Sequence, residues 1–109
     1  EADDPNHPAG MRREYRQRSE MEATASSICR NIAEGFRRGK NREFARFVEY
    51  AYSSCAELKS LLEDLEIQGV ATGAELRPVK RLRYRLDRAL IAFLRHLRRY
   101  PDRGRHDHE

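Results

Sequence analysis

Two short stretches of this chain hold the side chains best suited to acid–base chemistry or metal binding. One is NIAEG, residues 31–35, and the other runs from Ser54 to Glu57. The two carboxylates, Glu34 and Glu57, could share a proton or hold a metal ion if the chain brought them together. Metal sites inside helical bundles repeat a Glu-x-x-His pattern, which neither glutamate has here. We therefore interpret this pair as structural rather than catalytic.

The same polar residues are spaced so that they could meet across two antiparallel helices. Buried amides and carboxylates need partners, so we expect Asn31 and Glu34 to hydrogen-bond across the helical hairpin or to a basic group such as Arg30 or Arg38. Gly35 would let a neighbouring backbone approach. A direct role in ligand binding is the alternative. The predicted structural polar network consists of Ser27, Asn31, Glu34, Gly35, Ser54 and Glu57.

No other arrangement of residues indicates catalysis or a cofactor. His106 and His108 form a pair in the terminal RHDHE without a preorganised third ligand, and Cys29 and Cys55 are not in a C-x-x-C motif. The chain has no nucleophile next to a base and no glycine-rich phosphate loop. The sequence predicts no enzyme activity, no metal site and no cofactor.

Arginines recur on one side of the last helical run. On a wheel at about 100° per residue, six of them and Tyr84 fall within about 100° of the direction opposite Leu86. Such a face can neutralise successive phosphates, and arginine adds bidentate contacts and stacking that lysine lacks. The alternative is a solvated face balanced by the acidic surface of the second helix or by another subunit. The predicted nucleic-acid contacts are Arg77, Arg81, Arg85, Arg88, Arg95 and Arg99.

A second basic cluster surrounds the turn between the first two helical runs. It joins one helix C-terminus, where cations offset the macrodipole, to the next N-terminus, where backbone amides could hold a phosphate. Macrodipole compensation would explain Arg37 and Arg38 but not Arg42. We expect Arg38 and Arg42 to assist nucleic-acid binding. The whole cluster is Arg37, Arg38, Lys40, Arg42 and Arg46.

Charge is unevenly distributed along the chain. The net charge is +4, yet residues 1–9 carry −3, whereas residues 76–105 hold eleven basic residues against Asp87 and Asp102, which gives +9. A basic C-terminal third favours an acidic partner such as a nucleic acid.

Composition and periodicity predict an all-α fold. Of the 109 residues, 39% are hydrophobic and 37% are charged, so apolar side chains must be concentrated on narrow stripes. Apolar positions recur at steps of three and four in three runs, and short links between the runs favour an antiparallel up-down helical bundle. The predicted organisation is a flexible lead (1–10), a helical bundle (11–100) and a flexible polar tail (101–109).

Local signals place the ends of the helices. Gly39 is expected to end the first helix and Asn41 to cap the second. Thr72 with Glu75 resembles a capping box that opens the third helix. Pro78 implies either an irregular first turn or a regular helix that begins near the proline.

The third helix has more apolar residues than one stripe can hold. Its expected core stripe runs from Val79 through Leu82 and Leu97 to Tyr100. Ile91 and Leu94 fall outside that arc. Because such residues need another surface to cover them, Ile91 and Leu94 are predicted to contact a second subunit.

Residues of the first two helices resemble a known family. The pattern consists of Ser27-Ile28, NIAEG at 31–35, Arg38, Glu43-Phe44, Phe47, Ala51, and Ser54 with Glu57-Leu58. It resembles the signature of the four-helix-bundle proteins encoded in intervening sequences of bacterial 23S ribosomal RNA genes. The likeness spans about Tyr15 to Arg99.

This resemblance implies a small bacterial protein that assembles as a homo-oligomer, a ring-like pentamer in members of the fold. The family's first helix, which precedes the Tyr15 region, has no counterpart in residues 1–10, so it is expected to be missing or truncated here. A more distant likeness in fold is to the accessory variability determinant of diversity-generating retroelements. That protein is a basic pentamer that partners a reverse transcriptase and binds nucleic acid.

Together these features predict a non-catalytic protein that oligomerises and binds structured RNA or another nucleic acid through arginine-rich faces. The alternative is a protein-interaction or scaffold module, such as an accessory subunit of a reverse transcriptase, without direct RNA contact. No apolar run approaches the length of a membrane span, and no signal peptide is visible. A cytoplasmic protein without a membrane partner is therefore expected.

Overall fold

Three helices account for most of the chain. The computed structural model describes residues 8–104, in which α1 (Pro8–Arg37), α2 (Asn41–Ile67) and α3 (Gly73–Arg99) follow one another. These residues contain no extended β-strand, only an isolated bridge between Lys40 and Gly104. The all-α prediction is confirmed. Helix α1 begins at Pro8, inside the segment predicted to be a lead.

Helix α2 lies between the other two helices. Gln17 of α1 donates to Gln68, just after α2, at 2.5 Å, and Lys80 of α3 lies 2.6 Å from Glu66 near the same end of α2. The start of α1 and the start of α3 therefore both lie beside the end of α2, as the predicted up-down order requires. No Cα atom of α1 lies within 8 Å of one of α3 among the described residues. The helices thus form a flat layer of 61 × 25 × 16 Å.

The third helix begins as its sequence predicts. The Thr72 hydroxyl accepts a hydrogen bond from the Glu75 N–H at 3.1 Å, and the Glu75 carboxylate accepts one from the Thr72 N–H at 2.8 Å. This capping box satisfies backbone amides that a helix start leaves unpaired. Pro78 lies inside the helix, so the helix begins at Gly73 and not at the proline.

The residues that follow α3 fold back onto the start of α2. The backbone N–H groups of Asn41 and Arg42 donate to the carbonyls of Arg103 and Pro101 at 2.8 and 2.9 Å. The Asn41 side chain donates to a further carbonyl of this segment at 2.9 Å and does not cap α2. The prediction of an Asn41 cap is therefore wrong, because residues 100–104, which we call the C-terminal clasp, supply the acceptors.

The core lies along α2 and includes one residue predicted to lie outside it. Val48, Ala51 and Cys55 of α2 are fully buried. Leu94 of α3 is only 7% exposed and belongs to the same core, whereas Ile91 is half-buried. The prediction that Leu94 contacts a second subunit is therefore wrong.

In the first half of α3, two residues that were predicted to be buried are exposed. Val79 and Leu82, which the sequence assigns to the core stripe, are 43% and 62% exposed. Of the other two helices, only α2 comes close to α3, so the packed side of α3 centres near Leu90 and Leu94, about 60° around the helix from Leu86. The flank of α3 that a closed bundle would cover is therefore left open by the other helices.

The asparagine of NIAEG bonds mainly within its own helix. The Asn31 side chain donates to the Ser27 carbonyl at 2.8 Å and lies 3.1 Å from the Ser27 hydroxyl. Ser27 shares a hydrogen bond of 2.9 Å with Ser54 of α2. The serine pair therefore makes the polar contact between the helices, and Asn31 reaches α2 only through Ser27, not directly as predicted.

Glu34 pairs with Arg37 of its own helix and with Arg38, which follows the helix, and the prediction of a contact with Arg38 is confirmed. Its carboxylate lies 2.6 Å from Arg37 and 3.1 Å from Arg38. The hydrogen bond from Arg37 is the main cause that lowers the pKa of the Glu34 carboxyl. Glu57 is exposed and forms no hydrogen bond or ion pair with another described residue, so it does not join the network that the sequence predicts.

Gly35 lets aromatic side chains, rather than a backbone, approach α1. A Cβ atom at this position would lie 2.6 Å from the Phe44 ring and 2.8 Å from the Cβ of Phe47. Both distances are too short for a side chain to be accommodated without a shift of α1 relative to α2. Glycine is therefore required here by packing.

We expect Gly35→Ala to lower the free energy of unfolding. The added methyl group would overpack the α1–α2 contact at a cost of about 1–3 kcal/mol, which outweighs the roughly 1 kcal/mol gained in helix propensity by up to about 2 kcal/mol. Urea unfolding followed by circular dichroism measures the difference.

Ala33→Gly is the matched control, because Ala33 is exposed on the same helix and its replacement reports helix propensity alone. If Gly35→Ala stabilises the protein by as much as Ala33→Gly destabilises it, the packing constraint at Gly35 does not exist.

The two cysteines should differ in reactivity. Cys29 is exposed, whereas burial raises the pKa of the Cys55 thiol and the Arg83 guanidinium only partly offsets this effect. Since the thiolate is the nucleophile, an aromatic disulfide reagent at about pH 8 should modify Cys29 promptly and Cys55 only after unfolding. A Cys29→Ser variant should then show no rapid phase of thiol modification in the folded protein. A rapid phase in that variant would contradict the buried position of Cys55.

Candidate nucleic-acid interface

The basic residues of α3 that face α2 are neutralised within the chain. Lys80 lies 2.6 Å from the Glu66 carboxylate, and Arg98 pairs with Glu49. Both acidic partners belong to α2, so these two ion pairs join the two helices along their length. Both basic groups are therefore already paired with a carboxylate of α2.

The outer side of α3 is different, because its arginines have no acidic partner within residues 8–104. All six arginines that the sequence predicts to contact nucleic acid are exposed and form no ion pair with another described residue. They span about 33 Å along the helix. Tyr84, which is 57% exposed, lies among them. We call this surface the outer basic face; it consists of Arg77, Arg81, Tyr84, Arg85, Arg88, Arg95 and Arg99.

Arg83 belongs to α3 but not to this face. Its side chain is 9% exposed, and its guanidinium donates to the Cys55 carbonyl at 3.4 Å and lies 3.6 Å from the Asp87 carboxylate. A buried guanidinium is costly unless it is paired and hydrogen-bonded. Asp87 is on α3 itself, so the bond to the Cys55 carbonyl is the contact that holds this side of α3 against α2.

Arg38, in the basic cluster at the turn between α1 and α2, is already engaged. Besides its pairing with Glu34, the Arg38 guanidinium lies 4.8 Å from the centroid of the Phe47 ring. That position over the ring is a cation–π contact between α1 and α2. Arg38 therefore has a structural role at the hairpin.

Arg42 and the start of α2 are engaged by the C-terminal clasp. The Arg42 guanidinium lies 2.5 Å from the Asp102 carboxylate. The prediction that amides at this helix start hold a phosphate is wrong for Asn41 and Arg42, because their N–H groups donate to clasp carbonyls. A phosphate at Arg42 would compete with Asp102 for the guanidinium group.

The fold adds one more residue, Arg103, to the basic surface. Because of the clasp, the Arg103 guanidinium lies 4.4 Å from the centroid of the Tyr100 ring, next to the end of the outer basic face. Arg103 lies in a polar segment without periodicity, so no sequence pattern indicates this position. Only the fold-back of the clasp shows it.

Residues 8–104 form neither a metal site nor a membrane span. No group of three or more His, Cys, Asp or Glu side chains there is placed to hold a metal ion. His106 and His108 lie outside the described residues. No helix in the described part of the chain combines the length and apolar character that a membrane span needs.

Comparison with known proteins links this arrangement to a family. Searches of curated proteins and of solved structures found no significant match. The family model described as 23S rRNA-intervening sequence protein matches residues 9–92. That match covers nearly all of α1, all of α2 and most of α3, including NIAEG and four of the six outer arginines. The chain therefore belongs to the family of 23S rRNA-intervening sequence proteins.

Proposed function

We propose that this protein is a non-catalytic RNA-binding protein that holds phosphates with the outer basic face of α3. The observation that carries the proposal is the difference between the two sides of that helix. Lys80 and Arg98, which face α2, have carboxylate partners, whereas the six outer arginines have none among the described residues. A row of unpaired guanidinium groups attracts a polyanion, because each phosphate contact releases condensed counterions.

We propose RNA as the nucleic acid. The description of the family names its members after the intervening sequence of 23S rRNA. A structured RNA presents phosphates along the length of the outer basic face, and arginine binds such groups in a bidentate way. Arg38 and Arg42 contribute less than the α3 arginines, because both are already paired within the chain.

The proposal includes self-association through the open flank of α3. That flank consists of Leu82, Leu86, Ala89 and Phe93, and it borders a groove of about 440 Å³ that Ile32 and Phe36 of α1 line from the other side. Exposed apolar surfaces of this kind usually mark contacts with another chain. A homo-oligomer would cover the flank of every copy, and the pentamer implied by the family resemblance is one such arrangement.

Reversing two outer charges tests the RNA-binding proposal. Arg81→Glu with Arg88→Glu should weaken RNA binding and lower the slope of log affinity against log salt by about one unit for each lost phosphate contact. Filter binding across a salt series, with a structured RNA that contains unpaired loops, measures both quantities. Arg12→Glu with Arg16→Glu is the control, since it makes the same charge change on the exposed surface of α1.

Two results would contradict this function. Equal losses in the two double variants would mean that net charge, not the α3 face, determines binding. An unmodified protein that assembles fully and ignores RNA at low salt would instead be a scaffold, such as an accessory subunit of a larger enzyme complex.

Leu82→Glu tests self-association. Leu82 is 62% exposed, so the change should leave helical content intact while placing a charge in the proposed contact between subunits. Light scattering after gel filtration should show a shift toward the monomer mass. Ser53→Glu, on the exposed side of α2, should leave the mass unchanged. A Leu82→Glu protein with the unmodified mass would exclude this flank as the contact.

A further inference from the structure

Tyr84 of α3 and Tyr100, at the C-terminal end of that helix, each lie in a shallow pocket lined by arginines. The first pocket has a volume of about 360 Å³ and surrounds Tyr84. Its other lining side chains are Arg77, Lys80, Arg81 and Arg85. Because Lys80 is held by Glu66, three guanidinium groups remain for a ligand around the exposed Tyr84 ring.

The second pocket lies where α3 meets the C-terminal clasp and has a similar composition. Its volume is about 420 Å³. The guanidinium groups of Arg103 and Arg99 lie 4.4 and 6.0 Å from the centroid of the Tyr100 ring, and the His96 ring lies 5.4 Å away. Arg95 completes the basic lining. Each pocket therefore combines one tyrosine ring with three arginines.

A tyrosine ring beside guanidinium groups matches the chemistry of an unpaired nucleotide. The ring can stack on the base, while a guanidinium group binds the neighbouring phosphate or stacks in turn. In a double helix the bases are already stacked on one another, so a protein surface reaches mainly phosphates, sugars and groove edges. Exposed aromatic rings on a phosphate-binding face therefore favour single-stranded RNA.

The spacing of the pockets sets the length of strand that could use both. Tyr84 and Tyr100 are 16 residues apart, which corresponds to about 24 Å along a helix. At roughly 3.4 Å per nucleotide in a stacked strand, this distance equals about seven nucleotides. Arg88 and Arg95 lie between the two rings, where they can contact the intervening phosphates.

We propose that the outer basic face and the adjoining C-terminal clasp bind an unpaired RNA segment, with one base stacked on Tyr84 and another on Tyr100. This inference rests on the proposed RNA-binding function and names its substrate class, which is single-stranded RNA, including the loops of a folded RNA. The arginines supply most of the affinity, and the two tyrosines supply the preference for unpaired bases.

Fluorescence polarisation with a labelled RNA of about 12 nucleotides that cannot pair with itself tests the inference. The single strand should bind more tightly than the same strand annealed to its complement. Tyr84→Ala and Tyr100→Ala should each weaken single-strand binding by roughly 5- to 150-fold, and phenylalanine at either position should preserve it. The salt dependence should not change in these variants, because no phosphate contact is lost.

Tyr50→Ala is the matched control. Tyr50 is 49% exposed on α2, and its ring packs at 5.6 Å against Phe47, away from the outer basic face. Its replacement should leave RNA binding unchanged, and circular dichroism checks the helical content of every variant.

The outcomes separate this inference from the function on which it rests. If both tyrosine variants bind the single strand as the unmodified protein does, while reversal of Arg81 and Arg88 removes binding, stacking is wrong and the RNA-binding function stands. Equal affinity for single strand and duplex also overturns the stacking inference. If the unmodified protein binds neither form, both proposals are wrong.

Discussion

Helix α2 has to bury two neighbouring sides of its surface, because α1 and α3 each pack against it and not against each other. Phe44 of α2 shows the consequence, because its ring contacts aromatic rings of both other helices edge to face. Its centroid lies 6.2 Å from that of Phe36 in α1 and 5.1 Å from that of Phe93 in α3. Farther along, the small side chains of Ala51 and Cys55 let the outer helices approach. A rotation of α2 would expose apolar surface on one side and overpack the other.

The distribution of charge follows from this packing. Lys80 and Arg98 of α3 find carboxylates on α2, whereas the arginines on the far side find none among residues 8–104. The largely buried Arg83 side chain supports this orientation, because turning it toward solvent would break its contact with the Cys55 carbonyl of α2 and move Leu94 out of the core. The outer basic face therefore depends on which side of α3 packs against α2 as well as on the number of arginines in α3.

The two surfaces that we propose to be functional lie side by side on α3. Its apolar flank continues into the groove toward α1, and its basic face lies around the helix from that flank, farther from α2. Association through the flank would leave the basic face of each copy accessible. Several such faces in one particle would bind a long RNA with avidity, which raises affinity without any new contact in a single chain.

The amino-acid sequence by itself determined the three helices, the capping box at Thr72 and the row of arginines on one side of α3, as well as the family. Each of these depends on local spacing, because helical periodicity and capping act over only a few residues. The tertiary structure decided that Leu94 is buried and Leu82 exposed, and that Arg42 pairs with Asp102, sixty residues away. Those outcomes depend on which side of α3 meets α2 and on where the chain folds back. No local pattern encodes them, since they arise from burying the largest apolar area while every buried charge keeps a partner.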